Sequence, residues 1–177
     1  MQNLEKGLIQ VYTGNNKGKT TAALGLTLRA VGHGFKVFVI QFMKGRQDYG
    51  ELKGLERLEP ECRIEQFGTP NWVRKGQAKN EDRQAAQAGL QKAREIMKSG
   101  EWNILILDEI INAIWFELLP EKDVLALMDE KPEYIELVMT GRNASSRIIE
   151  KSHLVTEMVQ IKHPYEIGID ARKGIEY

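Results

Sequence analysis

Leu8-Ile-Gln-Val-Tyr-Thr13, then Gly14-Asn-Asn-Lys-Gly18, then Lys19-Thr-Thr-Ala-Ala-Leu-Gly-Leu-Thr-Leu-Arg-Ala-Val31: an apolar run, a glycine turn and a helix-like stretch follow without a break. The run predicts a strand and the stretch predicts a helix from about Lys19 to Val31, stopped by Gly32 and Gly34. Glycines between a strand and a helix let the backbone curl, so that several N–H groups face one cavity at the positive end of the helix. In such a loop the Lys19 ammonium reaches terminal phosphates, and the Thr20 hydroxyl can ligate Mg²⁺. Gly14, Asn15, Asn16, Lys17, Gly18, Lys19, Thr20 and Thr21 are therefore the candidate phosphate-binding residues. The usual pattern has four residues between its glycines; here there are three, and Thr13 takes the normal glycine position. The plain alternative is a flexible glycine turn with a solvated lysine.

Working outward, Lys36–Phe42 reads as a second strand and Arg63–Phe67 as a weaker third. Asn80–Ser99, rich in Ala, Gln, Lys, Arg and Glu, predicts a long helix. Ile104–Glu109 is apolar on successive positions, as expected of a central strand covered on both faces. Tyr134–Thr140 and Leu154–Lys162 read as two further strands, with a short helix around Ser145–Lys151. Strands alternating with helices mean crossover connections. The expectation is a three-layer α/β fold like that of the P-loop NTPases, with a mostly parallel sheet of about six strands, in a single domain spanning 1–177.

Composition narrows the function classes. The 177 residues carry 25 Lys+Arg and 25 Asp+Glu, a balance that argues against a dedicated nucleic-acid binder. The single cysteine, Cys62, cannot form an internal disulfide. No apolar run reaches the roughly 18 residues of a membrane span, and the first residues lack the apolar run of a signal peptide. A cytoplasmic enzyme with no membrane partner is expected.

Asp108 and Glu109 close the fourth predicted strand. In an open parallel sheet the carboxyl ends of the strands border the ligand crevice, where two carboxylates can hold Mg²⁺ directly or through water. A solvated strand end is the alternative. Thr140-Gly-Arg-Asn143 falls on the same edge, and the planar fork of Arg142 can reach a phosphate; a turn with a solvated arginine is as good a reading of the spacing alone.

Taken together, these stretches resemble the P-loop corrinoid adenosyltransferases, the ATP:cob(I)alamin family of cobalamin biosynthesis. The likeness is carried by Gly14–Thr21, Arg29-Ala-Val-Gly-His-Gly34, Val39-Ile-Gln-Phe-Met-Lys-Gly45, Leu107-Asp-Glu109 and Thr140-Gly-Arg142. It continues through Leu154-Val-Thr-Glu-Met158 and Lys162-His-Pro-Tyr165 to the tail Lys173-Gly-Ile-Glu-Tyr177. The shortened phosphate loop is itself a mark of that family. The resemblance implies a transferase that moves the 5′-deoxyadenosyl group of ATP to the cobalt(I) of a reduced corrinoid and releases triphosphate. It implies Mg²⁺ as cofactor and ATP as co-substrate. It also implies a homodimer and an electron-donating reductase of the flavoprotein type. Carried residue by residue, Lys19, Thr20 and Glu109 are the catalytic candidates, with Thr20 and Glu109 as Mg²⁺ ligands and Asp108 supporting them. Arg29, Arg142 and Asn143 are nucleotide-side candidates. The family places an aromatic pair after a Phe-Gly-Thr turn, against the corrin; here the segment reads Phe67-Gly-Thr-Pro-Asn-Trp72. Trp72 and Phe67 are the corrinoid-contact candidates, against ordinary roles as core or surface aromatics.

Other features point elsewhere. His33, His153 and His163 show no metal-ligand spacing and are expected to be structural. Glu56–Glu65 reads as a solvated surface, and Arg46–Lys53 as a mobile loop over the corrin. Two other functions fit a phosphate loop: a kinase or ATP hydrolase, for which no acceptor motif is visible, and a nucleotide-binding regulatory subunit without turnover.

Overall fold

Parallel strands cannot be joined by tight hairpins, so each apolar run must return through a crossover across a sheet face. The computed structural model, which describes residues 4–177, shows that arrangement. Its strands are β1 (Ile9–Thr13), β2 (Val37–Phe42), β3 (Cys62–Phe67), β4 (Ile104–Asp108), β5 (Glu136–Thr140) and β6 (Leu154–Glu157). They form one sheet in the order β3-β2-β4-β5-β1-β6, with every pairing parallel. The helices are α1 (Lys19–Gly32), α2 (Gly50–Glu56), α3 (Asn80–Ser99), α4 (Ile110–Trp115), α5 (Glu121–Asp129) and α6 (Ser146–Lys151).

Alternation along the strands makes the three layers. On one face Val37, Val39, Ile104, Ile106 and Val138 pack with Ala23 and Ala30 of α1 and Leu55 of α2. On the other, Phe38, Ile40, Phe42, Leu105, Leu107, Leu137 and Met139 pack against α3, α4, α5 and α6. The continuous apolar run of β4 thus has its explanation in cover on both sides. Gly89 lets α3 come close: a Cβ there would fall 2.9 Å from both Phe42 and Phe67. At the far end of α1, Phe35 N–H donates to Ala30 O and Gly34 N–H to Val31 O, with Gly34 at φ 78°, so the glycine closes a Schellman motif.

Several elements differ from the sequence reading. The strand expected to run through Glu109 ends at Asp108, because Glu109 turns into the left-handed region (φ 64°) and caps α4. The strand expected over Leu154–Lys162 stops at Glu157. There the chain turns toward the phosphate loop, with Met158 O accepting from Asn16 N–H at 3.1 Å. Within Arg46–Lys53, Gly50 begins α2, so that segment is only partly loop. Nor is Glu56–Glu65 solvated throughout: Cys62 opens β3 and is fully buried.

Candidate functional site

With every strand parallel, the carboxyl ends of β1, β2, β4 and β5 lie on one edge, and their loops share it. The loop after β1 is shaped by Gly14 (φ 97°) and Gly18 (φ 122°), backbone angles that favour glycine. A Cβ on Gly14 would fall 2.5 Å from Met158 O, so the loop also needs glycine to lie against the end of β6. Lys19, 6% exposed, folds back to donate to Gly14 O at 2.9 Å and Asn16 O at 2.6 Å. Burial holds its pKa below the ordinary lysine value; Arg142 adds to this, and Glu109 and Asp108 oppose it.

Asp108, 1% exposed, is the hub. Its Oδ1 accepts from the hydroxyls of Thr20 at 2.8 Å and Thr140 at 2.7 Å. Its Oδ2 accepts from Lys44 Nζ at 3.1 Å and Gln41 Nε2 at 3.2 Å. Lys44 and Gln41 both also reach Glu51 Oε1, each at 3.2 Å. Thr140 Oγ1 accepts from the Glu109 N–H at 2.8 Å, which pins the left-handed turn after β4. The Glu109 carboxylate faces the cavity and accepts from Asn112 Nδ2. Burial, and then the neighbouring Asp108, push its pKa above the usual carboxylate range, while Lys44, Lys19 and Arg142 pull it back. Asn112 Oδ1 accepts from Arg142 N–H at 2.6 Å, tying the loop after β5 to α4.

Lys19, Thr20, Lys44, Glu51, Glu109, Asn112 and Arg142 line a cavity of about 700 Å³. Aromatic and apolar side chains line the same cavity: Trp72, Val73, Trp115, Phe116, Phe42 and Met43. Trp72 is 87% exposed, and Lys75 Nζ sits 3.5 Å from the centre of the Trp115 ring. The C-terminal tail closes one side. Lys17 Nζ donates to Ile175 O at 2.7 Å and pairs with Glu176 at 3.4 Å, while Arg172 grips the same carboxylate with two nitrogens.

Of the residues singled out from sequence, Asn15 to Thr21, Glu109, Arg142, Asn143 and Trp72 line this cavity, and Asp108 lies directly behind Thr20. Gly14 shapes the loop without lining the cavity, and two further candidates stand apart from it. Arg29 is in the last turn of α1, ten residues and about 15 Å along the helix from Lys19. Phe67, half-buried, packs against the core beside Phe42, where Gly89 brings α3 close to its ring. Sequence reading missed Lys44, Gln41, Glu51, Thr140 and Asn112 as members of the cluster, and Trp115 and Phe116 as cavity walls. One signal was available: a glutamine inside the otherwise apolar Val-Phe-Val-Ile-Gln-Phe42 implies a buried polar partner.

The Thr20 hydroxyl gives its hydrogen to Asp108, so its lone pairs remain for a cation, with Glu109 beside it. Among the described residues no group of three or more His, Cys, Asp or Glu is poised to hold a metal. A hydroxyl with one or two carboxylates suits Mg²⁺, which keeps several waters and takes its remaining oxygens from phosphates. The histidines do backbone work: His153 Nδ1 accepts from Ile9 N–H at 3.0 Å, and His163 caps a 3₁₀ turn at Pro164–Ile167. Burial pushes the Cys62 thiol up to about 11, which leaves it inert near neutrality.

Residues 5–177 match the family described as ATP:corrinoid adenosyltransferase BtuR/CobO/CobP. The chain is 38% identical over 176 residues to a corrinoid adenosyltransferase of a Sinorhizobium species, covering 98% of this chain and 81% of the relative. It is 36% identical over 173 residues to the corrinoid adenosyltransferase of Escherichia coli K12, covering 98% and 87%. Among solved structures, a KaiC-like protein of the archaeon Pyrococcus horikoshii OT3 superposes with a TM-score of 0.63 at 16% identity, covering 89% of this chain and 75% of that one; this likeness concerns the fold. No described helix is long and apolar enough to cross a membrane.

Proposed function

The chain belongs to the ATP:corrinoid adenosyltransferase family, an enzyme family that transfers an adenosyl group from ATP to a corrinoid, and we propose a specific division of labour for that reaction. The observation that carries it is the mixed lining of one cavity: Lys19, Thr20 and Glu109 share it with Trp72 and Trp115. An anionic chain and a large flat macrocycle need those unlike surfaces, set close enough for their reacting atoms to meet.

The nucleophile is the corrinoid's cobalt(I). Its electron pair forms the bond to C5′ of ATP as the C5′–O bond breaks, and triphosphate leaves with that bond's electrons. So strong a nucleophile needs neither a nucleophilic side chain nor a general base. What the chain supplies is geometry and charge. The loop from Asn15 to Thr21 cradles the triphosphate through its N–H groups and the N-terminus of α1. On nucleotide binding Lys19 exchanges the carbonyls of Gly14 and Asn16 for phosphate oxygens and stabilises the departing charge. Arg142 and Asn143 contribute from the loop after β5. Mg²⁺ would be held by Thr20 and Glu109 with Asp108 behind, and would neutralise part of the leaving group's charge. Trp72 and Trp115 offer faces on which the corrin stacks. A homodimer and a flavoprotein-type reductase that supplies cobalt(I) complete the reading.

The test is anaerobic incubation with ATP, Mg²⁺ and chemically reduced cobalamin, following the cobalt spectrum and the phosphate products. Adenosylcobalamin with an equal amount of triphosphate is expected. ADP and phosphate in corrinoid-free controls would instead make the protein an ordinary ATP hydrolase, and ATP bound without turnover a regulatory subunit.

A further inference from the structure

Two carboxylates, Asp108 at the end of β4 and Glu51 of α2, converge on one point at the nucleotide-binding edge. Hard divalent cations favour carboxylate oxygens as ligands. Yet the place beside Asp108 is already taken by a cation of the chain itself. Lys44, at the carboxyl end of β2, puts Nζ 3.1 Å from Asp108 Oδ2 and 3.2 Å from Glu51 Oε1, with its side chain 17% exposed. The ammonium thus bridges both carboxylates, one from β4 and one from α2. The Tyr49 ring lies 5.3 Å away on a further side.

We infer that Lys44 is a built-in counter-cation that closes the Asp108 carboxylate to free divalent metal, so that metal enters this site only with the triphosphate. The inference rests on the metal–nucleotide reading above. A carboxylate offers about four lone-pair sites. All four on Asp108 are engaged, by Thr20, Thr140, Lys44 and Gln41. A bare cation would have to displace an ammonium from a nearly dry pocket, where charge–charge contacts are poorly screened. A cation already bound to triphosphate faces no such exchange. It needs only the free lone pairs of Thr20 and the carboxylate of Glu109, and it leaves the bonds of Asp108 in place. Lys44 is thus a positioning residue that acts on the metal through Asp108.

Mn²⁺ provides the probe, read by the enhancement of water-proton relaxation that a protein-bound ion produces over Mn²⁺ or Mn²⁺–ATP alone. The wild-type protein should show little enhancement with Mn²⁺ and a strong one with Mn²⁺ plus ATP. Lys44→Met should bind Mn²⁺ without ATP, at least about tenfold more tightly than wild type, whereas Lys44→Arg should stay silent until ATP is added. If the Met variant does not fold, Lys44→Gln, which keeps a donor and loses the charge, replaces it with the same expectation. Equal Mn²⁺ affinity of folded wild-type and uncharged variants without ATP would overturn the inference while leaving the metal–nucleotide reading intact. No enhancement by wild type even with ATP would overturn that reading, and this inference with it.

Discussion

Behind the phosphate loop Asp108 is 1% exposed and accepts four hydrogen bonds; in the wall of the cavity Trp72 is 87% exposed on the stretch between β3 and α3. The cluster around Asp108 is assembled from the tips of β1, β2, β4 and β5 and is fixed by the sheet. Trp115 ends α4, but Trp72 hangs on a loop, joined to the body by contacts such as Lys75 over Trp115 and Thr69 Oγ1 to Asp82 Oδ1 at 2.8 Å. The difference teaches where rigidity is needed. Stabilising a leaving group demands charges already in place, since reorienting them during the reaction would cost what they contribute. Receiving a macrocycle demands apolar faces that can adjust to it.

Substitutions at the two places should therefore fail in different ways. The largest effect belongs to Lys19→Ala, which should cut adenosylation by about 10³-fold by removing charge from the leaving triphosphate while leaving the melting temperature little changed. Near-normal product formation in the cobalt assay would break the contrast. Next is Gly14→Ala. Its Cβ would press on Met158 O from a left-handed backbone, and we expect a loss of about 2–4 kcal/mol in denaturant unfolding, along with weaker ATP binding. Trp72→Ala should leave stability untouched and slow adenosylation that starts from cobalt(II) by about tenfold, as expected for the loss of one aromatic stacking face. Unchanged rates from both cobalt(II) and chemically reduced cobalt(I) would remove Trp72 from the corrin contact.

The smallest effect lies at the tail. The fork of Arg172, chiefly through its side-chain hydrogen bonds, holds the Glu176 carboxyl down to about 2, with Lys17 adding to it. A lowered carboxyl pKa means that the clasp contributes fully above the unfolded value near 4.5 and is lost as pH falls toward about 2. Carbon-13 titration of the Glu176 carboxyl should show no transition down to about pH 4, and Arg172→Ala should restore an ordinary one.

The same contrast explains what the sequence made legible. The phosphate loop is contiguous, and its glycines, lysine and threonine declare themselves through spacing, as does the apolar β4 before Asp108. The partners of Asp108 do not: Thr20, Lys44 and Thr140 are 88, 64 and 32 residues away, and only the parallel strand order brings them together. Glu109 looked like a strand residue because nothing local announces a left-handed turn; the bond from its N–H to Thr140 creates it. Phe67 and Trp72, five residues apart, read alike as aromatics, and only the approach of α3 over Gly89 sets one against the core and leaves the other at the surface.

The strand order also has a consequence for the timing of synthesis. β1 leaves the ribosome first, yet its neighbours in the sheet are β5 and β6: Ile9 pairs with Leu137 and Gln10 with Leu154. A nascent chain made only as far as residue 100 carries the complete phosphate-loop sequence and can pair β2 with β3, but holds neither strand that flanks β1. The long loop to β5 must close before β1 is fixed, a non-local step that slows folding. ATP can therefore reward only a chain whose sheet is nearly complete, and the first-made strand of that sheet is among the last to become competent.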